Sequence, residues 1–336
     1  MFNNVKVLVT GATGMVGRQL LPLLLERGAL ITAASLDQPT IVESDLLQNV
    51  DFKRVDLRSL DNCLEISKGK EIVFHLAGVK GSPLLTKQQP ASFFTNTMMF
   101  NLNVMEAARL QGVERFLYTS SIGVYAPAEI FHEDDVWLSF PSENDKFAGY
   151  AKRMGELQAE ALSIEYGWDA VHIVRPSNVY GPWDNFDPNT AMVIPSLIAR
   201  IANGENPLQV WGDGSAIRDF IHSKDVARAM VHVMEKNVKG PTNVGSSLRT
   251  PIRDIVEILQ AINPGLEIGW QTDKPTGDDI RLMDIDKLKT SGFTPEISIA
   301  KGVAETFDWF CSNKTETNSR YNAFLEGGYN KLNQGF

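Results

Sequence analysis

The 336-residue chain holds only two cysteines, Cys63 and Cys311. Two thiols so far apart give no disulfide framework and no metal-ligand spacing, so no metal site is expected. Cationic excess is also lacking: 32 lysines and arginines stand against 41 aspartates and glutamates, a net charge of −9. No broad basic surface can be built from that balance, which excludes nucleic acid as the main partner. An anionic small ligand stays open, because a few local arginines suffice for one. No apolar run is long enough to span a membrane. The first strand signal begins near residue 5, which leaves no room for a signal peptide and makes a cytoplasmic enzyme the expectation. Internal repeats and low-complexity segments are absent too. What is present is ordinary for a globular chain, with 43% hydrophobic and 22% charged residues, enough for one large core or two smaller domains.

The organising stretch is the first seventeen residues. Val5-Lys6-Val7-Leu8-Val9 has the β-branched content of a buried parallel strand. Thr10 leads into Gly11-Ala12-Thr13-Gly14-Met15-Val16-Gly17, and Leu20, Leu21, Leu23, Leu24 and Leu25 follow with an apolar helical pattern. Strand, glycine turn and helix form the context of a dinucleotide-binding turn. Gly11 makes the tight turn, Gly14 lets the backbone approach a pyrophosphate, and Gly17 lets helix and strand pack closely. The helix N-terminus offers unpaired N–H groups, so Thr13, Met15 and Val16 join the expected cofactor contacts. The competing reading is a tight strand-to-helix turn with no ligand. The G-x-x-G-x-x-G spacing resembles the extended short-chain dehydrogenase/reductase family, the NAD-dependent epimerases and dehydratases that remodel nucleotide sugars.

An acidic residue at the end of the second strand, Ala29 to Leu36, would bind the adenosine ribose of NAD. Spacing puts that position at Ser35, with Asp37 two residues on. The serine leaves room for a 2′-phosphate, yet no arginine follows it. Arg18 is the nearby cation, and its place on a helix face suggests solvation. Both NAD and NADP remain open, with Asp37 favouring NAD. The resemblance further implies adenine contacts from Asp56 and Leu57, for which a helix N-cap is the alternative. In Ile72-Val73-Phe74-His75-Leu76-Ala77-Gly78 it implies a backbone passage beside the cofactor at Ala77 and Gly78. His75 itself reads as a satisfied core histidine. Asn96 is a candidate for holding the local backbone. Ser121 stands four residues before Tyr125, where the family places the hydroxyl that bonds the reacting sugar oxygen; a turn or cap is the alternative.

Later segments are similar to the branch containing GDP-fucose synthase and GDP-mannose 3,5-epimerase. They are Val174-Arg175-Pro176-Ser177-Asn178-Val179-Tyr180-Gly181-Pro182-Trp183 through Pro188, Val193-Ile194-Pro195, Trp211-Gly212-Asp213-Gly214, and Arg218-Asp219-Phe220-Ile221-His222 with Asp225. In that branch Asn178 and Arg218 would face the nucleotide-sugar, the guanidinium gripping the diphosphate in bidentate fashion. Arg281 would add a second diphosphate contact, or form a surface ion pair.

The chain departs from the family at its catalytic pair, Tyr and Lys spaced Y-x-x-x-K on one helix. Four residues bring both side chains to one helical face, about 40° apart. In Phe147-Ala148-Gly149-Tyr150-Ala151-Lys152-Arg153-Met154-Gly155-Glu156 the A-K-R-M-G-E run identifies Lys152 as the family lysine, and Ala148 stands at the tyrosine's position. Tyr150 lies two residues from Lys152, about 200° round a regular helix. The proton carrier is then Tyr150, if Gly149 distorts the helix start, or one of His132, Glu143 and Asp145. Beside GDP-fucose synthase, the epimerising cysteine and histidine fall at Gly123 and Met192, neither of which exchanges a proton. The T-D-E triplet of the 4,6-dehydratases is absent as well.

These readings imply an α/β fold: a doubly wound parallel sheet (Rossmann) with a smaller α/β substrate-binding domain. Residues 1–177 and 219–246 form the dinucleotide-binding part, 178–218 and 247–312 the nucleotide-sugar part, and 313–336 an appendage. Within the appendage, Tyr321, Phe324, Leu325 and Tyr329 would dock on the protein or a neighbouring subunit. The implied function is an NAD(P)-dependent nucleotide-sugar epimerase or 4-keto reductase that acts on a GDP-sugar as a homodimer. Catalysis would run by hydride transfer at a sugar carbon through Ser121 and Lys152. A non-catalytic protein that binds cofactor or nucleotide-sugar is the alternative.

Overall fold

Alternate residues of the first strand go to opposite cores. Val7 and Val9 join Leu20, Leu21 and Leu24 on one side, whereas Leu8 joins Cys63, Phe100 and Val104 on the other. A strand apolar on both faces must be covered on both faces, and a period of two sends successive side chains to opposite sides. The computed structural model describes residues 1–38, 44–79, 83–187, 190–274 and 278–314; Tyr321, Phe324, Leu325, Tyr329 and Pro188 lie outside them.

In chain order the first part runs β1 (Lys6–Thr10), α1 (Met15–Leu25), β2 (Leu30–Ser35), α2 (Ser44–Leu47), β3 (Asp51–Arg54), α3 (Leu60–Ser67) and β4 (Ile72–His75). It continues through α4 (Pro83–Gln88), α5 (Pro90–Leu110), β5 (Arg115–Thr119), β6 (Ile130–Phe131), α6 (Lys146–Tyr166) and β7 (Val171–Pro176). Then come β8 (Asn178–Tyr180), α7 (Val193–Ala202), β9 (Leu208–Trp211), β10 (Ile217–Arg218), β11 (Phe220–His222), α8 (Ser223–Glu235) and β12 (Pro241–Val244). The last elements are β13 (Thr250–Pro251), α9 (Ile252–Ile262), β14 (Ile268–Gln271), β15 (Ile280–Met283), α10 (Asp286–Thr290) and α11 (Ile299–Ser312).

The main sheet has seven strands in the order β12-β7-β5-β4-β1-β2-β3, and every pairing in it is parallel. Helices α1 and α8 cover one face; α3, α5 and α6 cover the other. Strand order reverses between β1 and β4, so a crevice opens at their carboxyl ends, the place where such sheets bind ligands. A smaller sheet, β13-β10-β15-β6, stands beyond that edge. It takes the two-residue strand β6 from the first half of the chain. A third core of Tyr180, Phe186, Ile194, Leu197, Leu259 and Phe310 lies under α7, α9 and α11, while Ile285, Leu288 and Phe293 pack into the first core.

Candidate active site

The glycine turn is shaped by close approach. Gly11 has φ +66°, and a Cβ there would sit 2.7 Å from Ala77 N, so neither its backbone nor its surroundings admit a side chain. A Cβ on Gly17 would lie 2.5 Å from the Ala12 carbonyl oxygen. Gly14 is the N-cap of α1 and has no side chain to cap the helix. The first amides of α1, from Met15 through Gly17, therefore have no intrahelical acceptor. Thr13 turns from this loop toward the end of β2: its Oγ1 donates to Asp37 Oδ2 at 2.5 Å and meets Ser35 Oγ at 2.6 Å. Asp37 is buried. Arg18 is buried as well, against the solvated place its helical position suggested. Its Nε donates to Thr13 O at 3.1 Å and its guanidinium lies 5.4 Å from the Trp183 ring centre. A cation at the end of β2, absent from the local sequence, comes from β3, where Arg54 pairs in register with Ser35 and donates to Leu36 O at 3.1 Å.

Asp56 does not cap a helix. Ser59 caps α3, accepting from Asn62 N at 3.4 Å. Asp56 is instead held by Arg58, with Nη2 at 2.6 Å from Oδ2. Burial opposes its charge, but the Arg58 bonds outweigh burial and hold its carboxyl below the usual range. Arg58 also reaches Asn96 Oδ1 at 3.4 Å. Leu57 is buried, and its carbonyl accepts from Asn103 Nδ2 at 3.3 Å. Ala77 N donates to Thr10 Oγ1 at 3.3 Å, and Gly78 is exposed beside it.

His75 is the satisfied core histidine expected, with Nδ1 at 2.7 Å from Thr10 Oγ1 and Nε2 at 3.0 Å from Asn101 Oδ1. Burial, with help from the Lys152 charge, pushes its pKa down to about 3. Asn101 passes on to the Tyr118 hydroxyl at 3.0 Å, which donates to Lys152 O at 3.2 Å. Lys152 Nζ donates to Thr119 O at 2.8 Å. Burial lowers its pKa to about 8, against the attraction of Glu156. Glu156 anchors the region from below: Oε1 accepts from Ser120 Oγ at 2.5 Å, and Oε2 pairs with the buried Arg175 at 2.6 Å. Ser121 follows at the end of β5, its Oγ accepting from Gly123 N at 3.1 Å.

Helix α6 is continuous through Gly149. A Cβ at 149 would run into the Gly123 carbonyl and Pro141, so this glycine serves close approach and causes no break. Tyr150 consequently stays in register with Lys146 and Met154 and lines an apolar depression with Phe94 and Phe147. Ala148, one turn before Lys152, packs on Phe93, as does Val79. Of the loop candidates, His132 is half exposed and pairs with Asp284 at 3.1 Å. Glu143 points to solvent, 84% exposed, 3.4 Å from Lys146. Asp145 points inward. Its Oδ2 lies 2.8 Å from Arg281 Nη2, and its Cγ lies 3.4 Å from where a Cβ on Gly123 would be.

The smaller sheet brings two cations together. Arg218 on β10 pairs in register with Arg281 on β15. Burial, then the charge of Arg281, pushes the Arg218 pKa down. Arg281 is no surface pair: its side chain is 13% exposed, between Asp145 and Asp278. Asn178 donates through Nδ2 to Asp219 O at 2.8 Å, which fixes it beside Arg218. Asp219, which the sequence reading left without a role, ties the two sheets together. Its carboxylate accepts from Ser246 N at 2.8 Å, Ser247 N at 3.0 Å and Met283 N at 3.3 Å. Burial raises its pKa against those bonds. The local signal was a carboxylate between two short strands, just before the apolar Phe220-Ile221.

Residues 7–245 match the NAD dependent epimerase/dehydratase family. The chain is 32% identical over 319 residues to GDP-L-fucose synthase 1 of Arabidopsis thaliana, covering 92% of this chain and 94% of that protein. It is 28% identical to GDP-L-fucose synthase of Escherichia coli (strain K12), covering 92% and 97%. Among solved structures, the UDP-N-acetylglucosamine 4-epimerase from Methanobrevibacter ruminantium M1, in complex with UDP-N-acetylmuramic acid, superposes with a TM-score of 0.81 at 26% identity, covering 93% and 99%.

Proposed function

Because the chain belongs to the NAD-dependent epimerase/dehydratase family, we propose that it is an oxidoreductase or epimerase of a nucleotide-sugar, with a GDP-sugar as its substrate. The observation that carries this reading is Asp145 joining two groups: it lies with Ser121 beside Gly123 at the end of β5, where Lys152 also bonds, and it pairs with Arg281, the cross-strand neighbour of Arg218 on the smaller sheet. One wall suits a sugar oxygen and the other a diphosphate. The names of the two plant and bacterial relatives, and the order of the segments from Val174 to Asp225, support the GDP-sugar.

The cradle fits a nicotinamide dinucleotide, since a Cβ at Gly11 would fill it and α1 opens on amides without acceptors. Such a cofactor supplies a hydride donor or acceptor when bound. The buried Asp37, held by Thr13, suits the ribose hydroxyls of NAD; Arg54 beside Leu36 is the group that would favour NADP. We read Asp37 as decisive, because a carboxylate there repels a 2′-phosphate. Lys152 would hold the nicotinamide ribose, and Ser121 would orient the sugar oxygen. Position 148 is the vacant tyrosine site, so neither it nor Tyr150, on another face of α6, moves a proton at the sugar. A homodimer is part of this proposal; among the described residues no helix is long and apolar enough to cross a membrane.

The test is to incubate the chain with NAD(H) or NADP(H) and GDP-mannose, its 4-keto-6-deoxy derivative, or UDP-glucose, following nicotinamide absorbance and sugar products. Turnover of a GDP-sugar with NAD(H) is expected. Binding of cofactor and nucleotide-sugar without any turnover would establish the non-catalytic reading, which the packing of Ala148 on Phe93 favours.

A further inference from the structure

We propose that Asp145 is the proton-carrying catalytic residue, exchanging a proton with the sugar oxygen that Ser121 orients. This rests on the oxidoreductase reading above. Asp145 Cγ and Ser121 Oγ lie 3.4 and 3.5 Å from the point where a Cβ on Gly123 would sit. The carboxylate and the hydroxyl therefore flank one small space, which the glycine keeps open. Asp145, Gly149 and Lys152 fall at i, i+4 and i+7 and share the face of α6 that meets the end of β5. That face touches Gly123 at residue 149 and Thr119 at residue 152. The carboxylate thus stands one turn of helix before the vacant position 148.

The carboxylate is held in place by its ion pair: Asp145 Oδ2 and Arg281 Nη2 meet at 2.8 Å, and Arg281 Nε lies 3.7 Å from Asp278 Oδ2. No neighbour competes for the role. Tyr118 is buried with its proton held more tightly than usual, His75 is bonded at both nitrogens, and His132 and Glu143 face outward.

In the oxidising direction the sugar O–H proton passes to an Asp145 oxygen. The O–H electron pair becomes the second C–O bond, and the hydrogen on that carbon leaves with its electron pair to the nicotinamide dinucleotide. Reduction is the reverse, with Asp145 returning the proton. Arg281 holds the carboxylate toward the space beside Gly123.

Three variants, Asp145→Asn, Asp145→Ala and Asp145→Glu, are compared with wild type in melting temperature, in affinity for GDP and GDP-mannose by calorimetry, and in single-turnover rate across pH. With Asp145→Asn the rate is expected to fall ~10²–10⁴-fold, the range for a general acid/base. GDP affinity should stay within about threefold, a margin worth under 1 kcal/mol, while GDP-mannose affinity shifts. Asp145→Glu should recover part of the rate, because it restores a carboxylate. An Asp145→Asn or Asp145→Ala variant that turns over like wild type overturns the proposal. So does an equal loss of GDP and GDP-mannose affinity with the rate intact at saturation, which would leave Asp145 as a support for Arg281 alone. A wild type inert toward every nucleotide-sugar would defeat the oxidoreductase reading instead.

Discussion

Asp145 and Arg281, 136 positions apart in the chain, meet at 2.8 Å where the start of α6 faces β15. The contact joins the main sheet's catalytic edge to the smaller sheet. It also brings the start of α6 beside Arg218, the cross-strand neighbour of Arg281.

If Arg218, on β10 of the smaller sheet, grips the diphosphate, Arg218→Ala should weaken nucleotide-sugar binding by ~1.5–3 kcal/mol, the usual worth of a hydrogen bond to a charged group, with cofactor binding almost unchanged. Calorimetric titration of both ligands checks this. Equal nucleotide-sugar affinity in variant and wild type would remove Arg218 from the site.

Gly14→Val places a branched side chain at the N-cap of α1, where a pyrophosphate is expected to approach. Dinucleotide affinity should fall at least about tenfold, a cost of ~1.4 kcal/mol or more, in a protein that still folds. Unchanged NAD affinity with an unchanged far-ultraviolet spectrum would refute the assignment.

Tyr150→Phe should leave the rate within about threefold of wild type, far below the ~10²–10⁴ expected of a general acid/base, because α6 is regular through Gly149. Lys152→Met should raise the cofactor dissociation constant and slow turnover. In wild type the Lys152 charge is lost as pH rises through about 8, so cofactor affinity should decline over that range and the decline should vanish in Lys152→Met. A large loss of rate in Tyr150→Phe with cofactor binding intact would restore tyrosine chemistry.

His75 sets an acid limit on stability. Its folded pKa is about 3 against an ordinary 6.5. Between those values the unfolded chain binds a proton that the folded chain does not, so stability falls as pH drops, by up to about 1.4 kcal/mol per pH unit. His172 and His222, whose pKa values burial also lowers, act in the same direction. Denaturant melts at pH 6.5 and 5 should show the loss, with the His75 ring still neutral by NMR. A midpoint unchanged between the two would sink the assignment.

The sequence by itself determined the doubly wound sheet, because strand, turn and helix signals are local. Val5 to Val9, the glycines at 11, 14 and 17 and the leucines of α1 each carry their own physical reason within a few residues. It determined in the same way that Ala148 and Lys152 share a face of α6 and that Tyr150 does not, since helical register is a matter of counting. Tertiary structure decided what counting cannot reach. Only the pairing of β2 with β3 brings Arg54 to Leu36, and only the cover of Trp183 turns Arg18 from a surface cation into a buried one. Among His132, Glu143 and Asp145 the sequence offered no choice, because all three are polar residues in one loop. Of the three, the fold sets Asp145 against Gly123 and Arg281, a contact fixed by how two sheets close on each other and by no periodicity in the chain.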